Sequence, residues 1–418
     1  MLVWVDERNG YADDADFLDT RGLEIRILLV MAIETDVNVL DAARGFVPML
    51  RERADDIEMA RQLPQDISDL FADAGLYGMF VPRKYGGSET SPVAFMDVVE
   101  ALATGDGSAA WCVFIGATSG LVSGYLPPAT AQEIFGANPR SRIAGVFAPR
   151  GFAVPENGSY RVNGEWQWGS GTQNSDWVLG GCAIIRDGSP ELLPNGMPAS
   201  RMMITPRSEI EFLDTWHVSG LSGTGSTNFA MRDLLIPADR AVSLMVDKPI
   251  NRPLWAFPVF GLLAIGISAV ALGLARAAVD EVVDLASKKT PEGRLKPLAK
   301  SAITHRDVAE AEALIRSGRA FLWDSISRAY DAAMETGELS VELRRDIRLA
   351  AANATRSGAK AVDIAYNLAG GSSVYRTSPI QRYFRDVHVA TQHMMIGPMI
   401  WEQTGRLFVG VDSDTSML

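Results

Sequence analysis

The stretch GGSSVYRTSPIQRYFRDVHVATQH, Gly370–His393, carries two of the four histidines of this 418-residue chain and follows them back to a paired glycine. The glycines end a long run of small residues, and Pro379 opens a new helix that holds Gln381, Arg382, Tyr383, Phe384, Arg385 and Asp386. A histidine pair beside such a bend reads as a site. His388 and His393 are five residues apart, a turn of about 140° around a helix, so at most one of them faces a given ligand. An isolated helix histidine is more often a packing residue, which is the bland reading for His388.

Upstream of that stretch, Ile347, Ala351, Ala354, Gly358, Ala361, Ala365 and Leu368 repeat in steps of 4 and 3, the face of a bundle helix built from small side chains. Val308, Ala311, Ile315, Leu322 and Ala329 form a second stripe. Leu254–Ala275 has no charged residue and is long enough to span a bilayer. Its amphipathic neighbours favour a fully buried helix instead. With the segment from Pro379 onward, these predict a C-terminal four-helix bundle over residues 247–418.

The middle of the chain has a different period. Tyr160–Trp168 alternates around Asn163-Gly164, which predicts a hairpin turn of type I′ there. Trp177–Ile185, Arg201–Thr205, Glu209–Asp214 and Thr227–Ile236 read as further strands, giving a β domain over residues 141–246. Residues 37–140 read as helical: Val37–Arg61, a helix opened by Pro64 and stopped near Gly75, then Phe95–Thr104 and Ser108–Tyr125, with a loop at Val81–Pro92. The fold class is therefore α+β. Residues 1–36 form an N-terminal extension; Asp6, Glu7, Asp13, Asp14 and Asp16 stand where a signal peptide needs a basic segment, and Met31 is an alternative start.

A net charge of −12 and a pI near 5.0 argue against nucleic acid and anionic membranes as partners, and fit a cytoplasmic enzyme. Cys112 and Cys182 lack the spacing of a disulfide framework or a zinc site, and no metal cluster is indicated. Gly223-Thr224-Gly225-Ser226 lacks the third glycine of a dinucleotide fingerprint, so no nicotinamide site is visible.

Several of these segments carry a resemblance. MFVPRKYGG (Met79–Gly87), GLSGTGSTNFAMRDLLIP (Gly220–Pro237) and the spacing of Gly370-Gly371, Pro379 and Arg385-Asp386 resemble the acyl-CoA dehydrogenase superfamily over about Ala42–Gly410. RYFRDVHVATQH is similar to the flavin-dependent monooxygenase branch, the oxygenase components of two-component phenol and steroid-phenol hydroxylases. The resemblance implies a helical domain, a β-barrel-like middle domain and a four-helix bundle, assembled as a homotetramer with flavin sites near subunit interfaces. It implies reduced flavin (FMNH2 or FADH2) and O2 as cosubstrates, an aromatic or heteroaromatic substrate, and a flavin C4a-hydroperoxide as the oxygen carrier. A separate NAD(P)H-dependent flavin reductase is then required.

Trp168-Gly169-Ser170-Gly171 followed by Trp177 resembles the strand that passes the flavin ring. Ser170 is then the hydroxyl near N5, and Phe147, Trp168, Gly370 and Gly371 are further flavin contacts. His393 occupies the branch's histidine position and is the candidate proton carrier, with His388 as a second candidate. Arg385 and Asp386 read as a structural ion pair. Dehydrogenases often keep a catalytic glutamate where this chain has Met394, and KKTPEGRLKP lacks their RxxFG-like pyrophosphate segment, although Arg294 is present. Phenol hydroxylases carry histidines where this chain has Ser119 and Asn174, which leaves the substrate open. Two rival readings stay open from sequence: a dehydrogenase with tightly bound FAD using Glu402 or Asp280 as base, and a non-catalytic binding protein of the same fold.

Overall fold

The computed structural model describes residue 36 and residues 38–418. The extension and the alternative start at Met31 lie outside the described residues, except for Asp36, whose carboxylate accepts the Ser91 hydroxyl at 2.7 Å.

The first third is helical: α1 (38–52), α2 (Ala54–Ala60), α3 (Gln65–Asp73), α4 (Pro92–Ala103), α5 (Gly107–Gly120) and the short α6 (Pro128–Ala131). Caps start the two that matter most. Ser91 accepts the Ala94 N–H ahead of α4, and Asp106 accepts the Ala109 N–H at 2.8 Å ahead of α5. The helix expected over Val37–Arg61 is interrupted at Arg53, and Arg61 ends it in the left-handed region.

The sheet follows, from β1 (Ile143–Glu156), β2 (Ser159–Trp166), β3 (Trp177–Arg186), β4 (Ser189–Pro190), β5 (Ser200–Pro206), β6 (Glu211–Leu213), β7 (Asn228–Pro237) and β8 (Ala241–Val242). Its order is β6-β7-β2-β1-β3-β5-β8, with β4 on β3; β1 and β3 run parallel and the other pairs antiparallel. The ladder does not close, so the expected barrel-like domain is an open sheet. The hairpin turn is at Asn157-Gly158, both at positive φ, and not at Asn163-Gly164. Asn163 sits inside β2 at a register shift, where its side-chain oxygen accepts the Asp233 N–H at 2.8 Å. Two Asn-Gly pairs competed for one turn, and cross-strand pairing with β7 decided between them.

Helices return with α7 (Pro253–Ala256), α8 (Val259–Lys288), α9 (Ala302–Thr336), α10 (Val341–Ala369), α11 (Pro379–Ala390) and α12 (Pro398–Phe408). The bundle has three long helices and shorter ones at its end. The apolar run expected to start a helix at Leu254 is broken at Phe257-Pro258, where proline cannot continue α7. By length and composition α8 and the segment Gly107–Gly124 could cross a membrane, but in each the 18-residue apolar stretch is 94% buried inside the protein. One hydrophobic core joins α1–α5 to α8–α12, and two smaller cores line the sheet. The helices before and after the sheet thus depend on each other.

The small-residue stripe of α10 faces α8. At Gly358 an added Cβ would sit 2.8 Å from the Ala271 carbonyl oxygen, so the helices approach closely there. We expect Gly358→Leu to destabilise the fold by about 3 kcal/mol through overpacking; an unchanged thermal midpoint would show that the interface yields.

Candidate active site

Three segments distant in sequence meet at the indole of Trp111 on α5. The first is the turn Trp168–Gly171, which leaves β2 and is not itself a strand. Gly169 N–H donates to the Thr227 carbonyl and Gly171 N–H to the Thr224 carbonyl, both at 3.0 Å, so this turn is zipped to the second segment, Gly220–Thr227. Gly171 has φ +70°, a conformation that places the chain for the second of these bonds and suits glycine. The third is the turn after α11 that holds His393.

The zipping places four polar side chains in a line. Trp111 Nε1–H donates to Ser170 Oγ at 3.1 Å; Ser170 Oγ lies 2.6 Å from Ser226 Oγ, which lies 2.6 Å from Thr224 Oγ1; and Thr224 Oγ1–H donates to the Leu221 carbonyl at 2.8 Å. All four side chains are buried. Beside them Trp168 stands 65% exposed with φ +64°, a strained conformation for a bulky side chain. An open aromatic face next to a buried hydroxyl line fits a flat, hydrogen-bonding ring such as a flavin. Phe147 is half-buried on β1, at the register shift between Val146 and Gly151, and packs against both the helical core and one sheet core.

His393 also lies against the indole, with ring centroids 5.9 Å apart. Its Nδ1 accepts the Met395 N–H at 3.2 Å, which leaves the proton of the neutral ring on Nε2. Burial, with the Arg348 charge adding to it, pushes the imidazole down to about 4. At neutral pH His393 is an uncharged N–H donor. Arg348 is a residue that sequence reading missed. It is 1% exposed on α10 and donates to the carbonyls of Met395, at 2.9 Å, and Met417. Among the described residues no carboxylate pairs with it, and it holds the His393 turn through the carbonyl of Met395 and, at 3.7 Å, the sulfur of the same residue.

His388 is not brought to this group. Its Nε2 lies 2.8 Å from Asp363 Oδ1 and its ring packs edge-on to Phe384, which itself stacks on Tyr366. The helical turn between the two histidines sends them to different surroundings. Gly370 caps α10 with φ +53°, and Gly371 continues into an exposed turn tied down by Lys289, whose Nζ donates to the Ala369 carbonyl and the Ser372 hydroxyl.

Arg385 and Asp386 do not pair with each other. Arg385 grips Glu58 of α2 with both nitrogens, at 2.6 and 3.0 Å, and donates to the Ser219 carbonyl. Asp386 accepts the Leu221 N–H at 2.6 Å. These neighbours on α11 thus fasten the bundle to α2 and to the loop that carries Thr224 and Ser226. Burial, with the Asp106 charge adding, pushes Asp386 up to about 7. Asn174, placed where phenol hydroxylases carry a histidine, gives its amide to the Leu63 carbonyl and Gln65 of the α3 start. The Ser119 hydroxyl is buried and has no partner among the described residues.

Residues 34–130 match the acyl-CoA dehydrogenase N-terminal domain and residues 265–398 the acyl-CoA dehydrogenase C-terminal domain. The chain is 33% identical to the indole-3-acetate monooxygenase of Pseudomonas putida, over 86% of this chain and 90% of that one. It is 28% identical to the flavin-dependent monooxygenase oxygenase subunit HsaA of Mycobacterium tuberculosis, over 86% and 92% respectively. Among solved structures it resembles XiaF from Streptomyces sp. in complex with FADH2 and glycerol, with a TM-score of 0.83, 25% identity and coverage of 93% and 98%. The chain belongs to the acyl-CoA dehydrogenase superfamily, in the branch of flavin-dependent monooxygenase oxygenase components.

Two measurements check this geometry. The folded pKa of Asp386 lies above its unfolded value, so its contribution to stability is present below about pH 4 and is lost as pH rises through 7. Asp386→Asn keeps an acceptor for Leu221 and cannot ionise; its thermal midpoint should gain on the wild type as pH rises from 5 to 8, and a constant difference would contradict the assignment. In 15N-histidine NMR spectra, with the signal assigned through His393→Asn, His393 should stay neutral at pH 5.5. Arg348→Met should make it easier to protonate, and an unaltered titration would remove Arg348 from the site.

Proposed function

We propose that this chain hydroxylates a heteroaromatic ring of about indole size, with Trp168 and Ser170 holding the flavin and His393 presenting a proton to the reacting oxygen. The chain is the oxygenase component of a two-component flavin-dependent monooxygenase acting on aromatic substrates, and a reductase is its partner. The observation that carries the reading is that one indole, Trp111, joins the Ser170 hydroxyl by a hydrogen bond and the His393 imidazole by ring contact.

Bound reduced flavin supplies the electrons and the site at which O2 is activated. The protein's own groups then do three things. Trp168 offers its exposed face to the ring, Ser170 fixes it at a hydroxyl, and His393 Nε2–H stands as a hydrogen-bond donor toward the reacting oxygen while Nδ1 remains tied to Met395. Phe147 and the Gly370-Gly371 turn complete the flavin contacts in this reading. His388, held by Asp363, braces α11 against α10.

Heteroaromatic preference is supported by the indole-3-acetate relative and by the neutral residues Ser119 and Asn174, which give a phenol no second imidazole to deprotonate it. A homotetramer is supported by the exposed apolar side chains Val374 and Tyr375 beyond Gly371, and Met394 and Met399 beside His393. Those surfaces suit a second copy that closes the site. The reductase is taken to use NAD(P)H, and the location to be cytoplasmic. Met394, standing where dehydrogenases often hold a glutamate, disfavours the dehydrogenase alternative.

The test is to combine protein, reduced FMN or FAD and an indole-type substrate under anaerobic conditions, mix them with oxygenated buffer, and analyse for hydroxylated product. A transient in the near ultraviolet should precede the oxidised flavin spectrum. His393→Ala should lower product by about 100-fold, the lower end of what removing one positioned hydrogen-bond donor costs, while flavin affinity holds. Full hydroxylation by His393→Ala would end the role given to it.

A further inference from the structure

The hydroxyl line at Ser170 has a direction, because both of its ends are fixed by chemistry. At one end the indole N–H of Trp111 can only donate, and at the other the Leu221 carbonyl can only accept. Thr224 gives its proton to Leu221 and so accepts from Ser226, and Ser226 in turn accepts from Ser170. Run this way, three hydroxyls and one indole make four hydrogen bonds. Reversed, Thr224 would donate to Ser226, Ser226 to Ser170, and the Thr224–Leu221 bond would be lost. The Leu221 carbonyl would keep the Thr224 N–H at 3.1 Å and the Trp216 indole N–H at 3.4 Å, so the reversal costs one hydrogen bond and leaves no carbonyl unpaired.

The consequence falls on Ser170. Its proton is committed to Ser226 and one lone pair to Trp111, so the hydroxyl has only its second lone pair to present to a ligand. Reduced flavin carries a proton on N5 and can donate there; oxidised flavin has a bare N5 that can only accept. We propose that Thr224 and Ser226 polarise Ser170 as an acceptor, so that this site selects the reduced flavin over the oxidised one. Building on the flavin role assigned above to Ser170, this makes Thr224 and Ser226 positioning residues that act through it. Oxidised flavin could be accommodated by reversing the line, at the loss of one hydrogen bond. The product of turnover is thereby bound more weakly than the cosubstrate, which suits a flavin that arrives reduced and leaves oxidised.

The experiment is equilibrium binding of both redox states, with oxidised FMN or FAD in air and the chemically reduced form under anaerobic conditions. In the wild type the reduced form should bind more tightly. Ser226→Ala removes the acceptor of the Ser170 proton, and Thr224→Val frees the Ser226 proton to turn toward Ser170. Either change lets Ser170 donate, so the ratio of the two dissociation constants should fall by about fivefold, within the range of one net hydrogen bond. Ser226→Thr keeps a hydroxyl and should keep the wild-type ratio. A purely structural disturbance would weaken both redox forms together and leave the ratio alone. An unchanged ratio in both Ser226→Ala and Thr224→Val overturns the proposal, as does an unchanged ratio in Ser170→Ala. Failure of the wild type to bind either form would instead overturn the flavin site itself.

Discussion

Over residues 261–275 helix α8 is buried on every side, and most of the structure exists to cover it. A helix that is apolar around its whole circumference cannot rest on one neighbour. Here α4 and α5 lie on one flank and α9, α10 and α11 on the others, all within one hydrophobic core. That is why helices from the beginning of the chain and helices from its end share a core across the inserted sheet. It also fixes where α5 and α11 stand relative to each other, and with them Trp111 and the turn that ends in His393.

The site is assembled by connections that cross this frame. The zipped turns at 168–171 and 224–227 bring Ser170 under the Trp111 indole, while Arg385 and Asp386 of α11 reach back to Glu58 and Leu221. Asp386 is thus bonded to the same residue, Leu221, whose carbonyl closes the hydroxyl line. One short loop therefore receives both the bundle's anchor and the end of the Ser170 line. Two buried carboxylates, Asp106 and Asp386, are held there with raised proton affinity; Arg382 and Arg385 lie near enough to offset part of the burial cost.

The bundle was legible because helices repeat locally. The 4-3 steps from Ile347 to Leu368 and the charge-free run before Ala275 each report a face or a whole surface that must be covered, and both became buried helices. Starts and turns were less legible. Pro258 delays α8, and of two Asn-Gly pairs the one that turns is Asn157-Gly158, since Asn163 is engaged by β7. Family likeness pointed to Ser170 and His393. Local reading could not separate His393 from His388, because the difference lies in what surrounds them: Asp363 and Phe384 for one, Trp111 and Met395 for the other.

The sequence by itself determined the α+β architecture, the buried central helix and the residue types available for flavin chemistry, since periodicity and composition are properties of neighbouring positions. Only the tertiary structure decided that Ser170 is bonded to Trp111 and Ser226, that Arg348 sits behind His393, and that Arg385 and Asp386 part company. Each of those pairings joins residues tens to hundreds of positions apart. Their geometry is set by which faces the core brings together, and no local pattern encodes the direction of a hydrogen bond between them.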